Sequence, residues 1–90
     1  MSTITPTELR VMALHRALAL RLDDICEQYL GVTATVARKR AIANDLPFPT
    51  YRATDSAKAP FMVDVRELAN HIDTAGTQAR EQWGKQQRDR

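Results

Sequence analysis

A corner of three residues, Gly31 to Thr33, separates two short helical segments and limits the folds open to this chain. Glycine readily takes the left-handed conformation that ends a helix, and Thr33 or Thr35 can cap the next helix almost at once. So short a link makes the two helices cross at a steep angle. The sequence therefore predicts a helix-turn-helix at this point.

The helix before the corner begins at an acidic pair. Asp23 and Asp24 supply an N-cap and a charge that suits a helix N-terminus. Its inward side carries Cys26, which we expect to be a small core residue. Upstream, Leu20-Arg21-Leu22 alternates only briefly between apolar and polar residues.

The helix after the corner is predicted from about Ala34 to Asn44, and a hairpin follows it. Leu46-Pro47-Phe48-Pro49 is expected to be an extended lead-in, because its two prolines lack an amide donor. Thr50 to Ala53 and Pro60 to Val63 are both β-prone. A polar turn of about five residues, Thr54 to Lys58, joins them.

Helices flank this unit on both sides. A threonine-proline-glutamate capping pattern predicts a first helix from about Pro6 to Ala19. Asp64-Val65-Arg66-Glu67 repeats a capping pattern and opens a last helix, whose apolar stripe continues to Trp83. Gly76 weakens the middle of that helix by roughly 1 kcal/mol relative to alanine, so we expect a bend or a break there. The polar residues 85–90 are expected to fray.

Ninety residues are enough for one domain with a modest core, so function is expected on an exposed surface. The predicted fold class is mainly α with a small β-hairpin, a winged helix-turn-helix with an added N-terminal helix and an extended C-terminal helix. Within the single domain, 1–90, we expect an N-terminal helix at 1–19 and a core at 20–74. A helical extension with a frayed tail follows at 75–90.

Charge is distributed unevenly along the chain. The net charge of +2 divides into −1 over residues 1–30, +3 over 31–58 and zero over 59–90. The densest cluster is Arg38-Lys39-Arg40 in the second helix of the pair. Three consecutive residues span about 200° of a helix, so at least two of these side chains must point outward.

This pattern predicts contact with double-stranded DNA. The residues placed in the major groove are Thr35, Arg38, Lys39 and Arg40. Arginine reads guanine by a bidentate contact, whereas Lys39 suits a phosphate. A solvated helix face is the alternative explanation of a basic triplet, and the turn, the hairpin and the local charge favour DNA.

Two further groups are candidate DNA contacts. Arg52 and Lys58 are expected to lie against the phosphate backbone or in the minor groove. A charged guard on an open strand edge is the alternative explanation. The backbone amides of the corner that ends at Thr33 can also bind phosphate.

Other chemistry is not indicated by the sequence. His15 and His71 lie far apart and lack neighbours at metal-ligand spacing, and a lone cysteine does not complete a metal site. The sequence has no Gly-rich phosphate loop and no nucleophile motif. We therefore predict a non-enzyme without cofactor or metal. With no secretory signal and no apolar run of about 18 residues, a cytoplasmic, nucleoid-associated protein without a membrane partner is expected.

Trp83 needs a contact, because the tail around it is polar. It either anchors onto the first helix or lies in a subunit interface, where large aromatic residues are enriched. A single domain with few basic contacts binds DNA weakly, so we expect a homodimer. Leu9, Met12 and Trp83 are the candidate interface residues.

Several segments resemble the pyocin activator family, over roughly residues 20–74. They are Tyr29-Leu30-Gly31-Val32, Ala37-Arg38-Lys39-Arg40-Ala41, Leu46-Pro47-Phe48-Pro49-Thr50-Tyr51-Arg52, Asp55 to Val63, and Asp64 to Asp73. The stretch from Leu-Pro-Phe-Pro to Ala-Pro-Phe is fairly specific to that family. The helix-turn-helix alone is generic.

The resemblance implies DNA-binding activation of phage or phage-tail-like genes in a bacterium, with a fold similar to excisionase and MerR-type winged domains. RNA polymerase or another phage protein is then a further candidate partner. Asn44 stands where the resemblance leads us to expect glycine, and asparagine tolerates the left-handed conformation. Ala57 stands where we expect glutamine, so no base contact is assigned to that position.

A sequence-specific transcription activator is thus the leading hypothesis, and two others fit the sequence. An excisionase-type architectural recombination factor would use the same fold to bend DNA. An antirepressor would grip a protein partner with the Trp83 helix and would lack the steep salt dependence of phosphate contacts. The positive charge over 31–58 argues against the antirepressor.

Overall fold

Four helices and a three-stranded antiparallel sheet are formed by residues 3–88, the part of the chain that this computed structural model describes. In chain order the elements are α1 (Pro6–His15), β1 (Ala19–Arg21), α2 (Leu22–Leu30), α3 (Ala34–Ile42), β2 (Tyr51–Arg52), β3 (Phe61–Asp64) and α4 (Val65–Arg88). The predicted fold class is confirmed, because the chain is mainly helical with a small sheet and is compatible with a winged helix.

The corner between α2 and α3 is built as the sequence predicts. Gly31 is left-handed, with φ 67°, and its N–H donates to the carbonyl of Glu27 at 3.1 Å. Thr33 is the N-cap of α3, and its hydroxyl accepts from the Val36 N–H at 3.4 Å. The helix ends at Ile42, two residues before the predicted end, and Asn44 takes the left-handed conformation with φ 53°.

The prediction that the first helix runs to Ala19 is wrong. Helix α1 ends at His15, because Arg16 is left-handed (φ 54°) and its N–H closes the last turn onto the Met12 carbonyl at 2.7 Å. The chain then extends into β1, which pairs with β3. A pairing partner more than forty residues away therefore overrides local helix propensity.

The sheet places β3 between the other two strands, in the order β1-β3-β2. Leu20 lies opposite Val63, and both are buried. Arg52 lies opposite Phe61 in the predicted hairpin, which is confirmed as an antiparallel pair. Strand β2 is shorter and the connecting loop, 53–60, is longer than predicted, because Pro60 cannot donate to the ladder.

The N-cap assigned to the acidic pair is also wrong. Strand β1 runs directly into α2, so the N-cap is Arg21, whose side chain makes no capping hydrogen bond. Asp23 and Asp24 lie inside the first turn. Their charge still suits the helix N-terminus, but their carboxylates are free for other contacts.

Helix α4 opens as predicted, with Asp64 Oδ1 accepting from the Arg66 N–H at 2.8 Å. The expected bend or break at Gly76 is wrong, because the helix is continuous from Val65 to Arg88. Gly76 borders the groove in which α1 packs against α4, and this packing supports the helix on either side of it. Of the residues expected to fray, 85–88 are helical, and 89–90 lie outside the described residues.

The core collects apolar side chains from every helix and from the sheet. Its most deeply buried members are Leu22, Ile25, Cys26, Ala37, Val63, Leu68 and Ala69. Cys26 is therefore a core residue, as predicted. The tie between α1 and α4 is completed by the Thr7 hydroxyl, which donates to Asp73 Oδ1 at 2.6 Å.

Replacing Gly31 by alanine tests the corner. We expect Gly31→Ala to lower the free energy of unfolding by about 1–2 kcal/mol, since a Cβ at this left-handed position is strained although it meets no neighbour within 4 Å. Chemical denaturation measures the change. Gly84→Ala is the matched control: it also meets nothing within 4 Å but lies in α4, so it should not destabilise. Equal stability of the Gly31 variant and the parent would contradict the role of the corner.

Candidate nucleic-acid interface

Helix α3 presents its basic triplet to solvent. Arg38, Lys39 and Arg40 are all exposed, while Ala37 and Ala41 are buried against the rest of the fold. The small alanine side chains occupy the buried side of α3, and the long cationic side chains lie on its solvent side. The sequence predicts that at least two of these three side chains point outward, and all three are exposed.

The first arginine of the triplet, Arg38, forms an ion pair within the fold. Arg38 Nη1 donates to Asp23 Oδ2 at 2.9 Å, and the two side chains are 48% and 31% exposed. This is the one ion pair among residues 3–88. It links the third helix to the first turn of the second.

A crevice of about 150 Å³ lies between this ion pair and the hairpin of residues 50–63, which we call the wing. We call it the basic crevice; it is lined by Arg21, Asp23, Arg38, Arg52, Ala57, Lys58, Ala59, Pro60 and Phe61. Four cationic residues and a single carboxylate meet there. The structure thus brings Arg38, predicted on the second helix of the pair, together with Arg52 and Lys58, predicted on the hairpin.

Sequence reasoning missed two residues of the crevice as binding residues. Arg21 ends β1, a strand of three residues whose only sequence signal is the brief alternation around it. For Asp23 the sequence predicts only a capping role at the start of α2. Pairing of β1 with β3 and the crossing of α2 with α3 place both beside the wing.

The wing holds its cations in different ways. The Arg52 guanidinium carbon lies 4.5 Å from the centre of the Phe61 ring, a cation–π contact between directly paired residues. Lys58 is exposed in the loop, and its backbone N–H donates to the Ser56 hydroxyl at 3.2 Å. Arg52 is therefore oriented by the Phe61 ring, whereas Lys58 is an exposed residue at the crevice.

The two threonines of the predicted interface, Thr33 and Thr35, differ in whether their hydroxyl groups already form a hydrogen bond within the fold. The Thr33 hydroxyl already accepts from the Val36 N–H as the cap of α3. Thr35 lies in the first turn of α3 and is exposed. Thr35 is thus the threonine whose side chain is available to a ligand.

Both histidines make contacts inside the fold. His15 Nε2 lies 2.9 Å from the Tyr29 hydroxyl, which joins the end of α1 to α2. The His71 ring packs edge-on against Phe48, with ring centres 5.5 Å apart. Within residues 3–88 no cluster of histidine, cysteine, aspartate or glutamate could hold a metal ion.

The candidate interface residues for a second copy lie on α1 and α4. Leu9 is 59% exposed and Trp83 is 66% exposed, whereas Met12 is half-buried against the core. The alternative that anchors Trp83 onto the first helix is wrong, because a ring so exposed is not covered by α1.

In the described part of the chain, no helix is both long and apolar enough to cross a membrane.

Residues 7–79 match the family model described as Pyocin activator protein PrtN. The chain belongs to this family. The match takes in the basic crevice, all of α2 and α3, and more than half of α4, so it extends beyond residues 20–74. Membership supports a role as a phage-related transcriptional activator, and the family is one of activators rather than of enzymes. Searches of curated proteins and of solved structures found no match.

Phe48 is the anchor of the segment that leads into the wing. Its side chain is 5% exposed, and we expect Phe48→Ala to lower the free energy of unfolding by about 3–5 kcal/mol through the lost burial and the cavity left behind. Urea denaturation followed by circular dichroism measures this. Tyr51→Ala removes an aromatic ring that is 48% exposed and should cost less than about 1 kcal/mol. Similar losses for both variants would contradict the anchoring role of Phe48.

Proposed function

We propose that this chain is a sequence-specific DNA-binding activator of phage or prophage genes. Helix α3 enters the major groove, and the wing, residues 50–63, contacts the phosphate backbone or the minor groove. The observation that carries the proposal is the basic crevice, in which cations of α3 and of the wing lie side by side. Its surplus of positive charge suits a polyanion.

The dimensions of α3 suit this role. A helix of nine residues is about 13 Å long, and the major groove of B-DNA admits one helix. Thr35, Arg38, Lys39 and Arg40 are exposed along it and face away from the core. These four side chains are the proposed base-reading and phosphate-binding groups of the helix.

The wing supplies the second set of contacts. Arg52 and Lys58 line the crevice together with Arg38, so one DNA duplex lying over α3 can reach the wing as well. Arg21 adds a cation from the end of β1. The Thr33 N–H and its neighbours at the start of α3 can donate to a phosphate, since helix N-termini bind anions.

The proposal requires no cofactor and no catalytic group. The protein would act on DNA in the bacterial cytoplasm, associated with the nucleoid. Activation then follows from placing the protein beside a promoter, where RNA polymerase or another phage protein contacts its remaining surface.

Two substitutions separate base reading from backbone contact. A preferred sequence is first selected from a random DNA pool with the full chain. Arg38→Ala should weaken binding to that sequence by about 1–3 kcal/mol more than binding to random DNA, because arginine makes bidentate contacts with guanine. Lys58→Ala should weaken both alike and reduce the salt dependence of binding by about one unit of slope. Fluorescence anisotropy at several salt concentrations measures both effects.

Lys85→Ala is the control, because it removes the same charge near the far end of α4. It should leave both affinities close to those of the parent. Equal losses on the two DNAs after Arg38→Ala would contradict a reading helix. Strong DNA bending without activation of a promoter that carries the selected site would instead support the architectural recombination role.

We also propose that the chain acts as a homodimer through the exposed apolar residues of α1 and α4. Leu9, Leu14 and Trp83 are each more than half exposed, and large exposed apolar side chains often mark protein interfaces. Two copies would double the DNA contacts and supply two half-sites. Met12 is half-buried, and it would contribute less than these three.

Sedimentation equilibrium tests the dimer. The parent should give twice the 10.2 kDa of one chain, and Trp83→Ala should shift the mass towards that of one chain by removing an aromatic anchor. Tyr51→Ala, which removes an exposed aromatic ring from the wing, should leave the mass unchanged. A parent that sediments as a single chain at all concentrations would contradict the dimer.

A further inference from the structure

We propose that Asp23 is a positioning residue for DNA recognition. Its carboxylate holds the Arg38 guanidinium in the orientation that reads a base, and the same negative charge repels phosphate from the basic crevice. The orientation of Arg38 favours one sequence over DNA in general, and the repulsion weakens binding to DNA of any sequence. The inference rests on the proposed function, because it requires α3 to contact bases.

Both ends of the Asp23–Arg38 pair are fixed to the core. Asp23 lies in the first turn of α2, one residue after Leu22 and two before Ile25, and these two apolar residues are 0% and 1% exposed. Arg38 follows Ala37, which is 0% exposed. Since neither backbone can shift without disturbing the core, the 2.9 Å contact holds the guanidinium at a defined place beside the crevice.

The pair leaves Arg38 able to read a base. A guanidinium has five N–H donors, and Asp23 Oδ2 accepts from Nη1. The remaining donors are sufficient for a bidentate contact with the O6 and N7 atoms of guanine. The carboxylate thus orients the planar group without occupying the donors that recognition needs.

The Asp23–Arg38 pair can affect DNA binding even though it contributes little to the stability of the fold. An ion pair with side chains 48% and 31% exposed contributes little to the free energy of unfolding. An arginine that is already held in place, however, loses less rotamer entropy when it binds. The benefit falls on contacts that require that orientation, which are the contacts to the preferred base.

The same carboxylate acts against contacts that require only charge. Asp23 is the single acidic residue among the residues that line the basic crevice, where Arg21, Arg52 and Lys58 attract phosphate. Its negative charge weakens the attraction for any DNA, whatever its sequence. The repulsion thus lowers both affinities alike, whereas the orientation of Arg38 raises only the affinity for the preferred sequence.

The neighbouring Asp24 provides a matched control. It lies in the same first turn, carries the same charge and is exposed, but it forms no ion pair within residues 3–88 and does not line the crevice. Asp23→Ala and Asp24→Ala therefore change the net charge and the helix N-terminus equally. Only the first substitution removes the partner of Arg38.

The experiment measures the affinity of each variant for the selected sequence and for random DNA of equal length, at several salt concentrations. Asp23→Ala should reduce the ratio of the two affinities by about 3- to 10-fold, the loss expected from one side chain that is no longer held in place. Binding to random DNA should become tighter. Asp24→Ala should leave the ratio unchanged.

A second comparison tests whether Asp23 acts through Arg38. In the Arg38→Ala background, Asp23→Ala should cause no further loss of the affinity ratio. Asp23→Glu keeps the charge but moves the carboxylate, so it should give a partial loss with no gain in binding to random DNA. Circular dichroism and the melting temperature of each variant establish that it is folded.

Three results would overturn the inference. They are an unchanged ratio in the Asp23→Ala variant, an equal loss of ratio in Asp24→Ala, and a further loss when Asp23→Ala is added to Arg38→Ala. If the Asp23–Arg38 pair only stabilises the packing of α2 against α3, Asp23→Ala would lower the melting temperature and leave the affinity ratio unchanged. Failure of the parent chain to discriminate between the two DNAs overturns the proposed function itself, and this inference with it.

Discussion

The pairing of β1 with β3 is the interaction on which the rest of the structure depends. Leu20 and Val63 meet across this pairing and are buried together, and the Val65 N–H donates to the Leu18 carbonyl at 3.0 Å. Strand β1 leads directly into α2, and β3 pairs with β2 as well as with β1. The pairing of β1 with β3 therefore sets the position of the helix pair relative to the wing. The basic crevice exists only because these two parts of the chain are held side by side.

The contribution of α3 to the crevice depends on which of its residues face the core. Ala37 and Ala41 are the buried residues of α3, so the long side chains next to them are directed to solvent. Two of the clustered cations then acquire partners of different kinds: Arg38 has the Asp23 carboxylate and Arg52 has the Phe61 ring. These contacts orient the two arginines, whereas the Lys58 side chain forms no ion pair with the residues of 3–88, which is why we propose a phosphate rather than a base as its partner.

Local signals were sufficient wherever one residue controls the backbone around it. Gly31 ends α2 in the left-handed conformation, Thr33 caps α3, and Asp64 opens α4, and each was predicted from neighbours a few residues away. The predictions failed where distant contacts decide. Arg16 ends α1 early because the following residues join a sheet, Arg21 rather than Asp23 precedes α2, and α4 passes Gly76 unbroken where α1 packs against it.

The sequence by itself therefore determined the order of the four helices, the helix-turn-helix, the hairpin, the basic triplet of α3 and the family to which the chain belongs, but not strand β1. These features depend on capping, proline and glycine chemistry and charge, all of which act within a few residues. Only the tertiary structure decided that Arg21 and Asp23 join Arg38 and the wing in one crevice, and that Trp83 is left exposed. Such juxtapositions depend on strand pairing and helix crossing between segments distant in the chain, and local sequence does not encode that geometry.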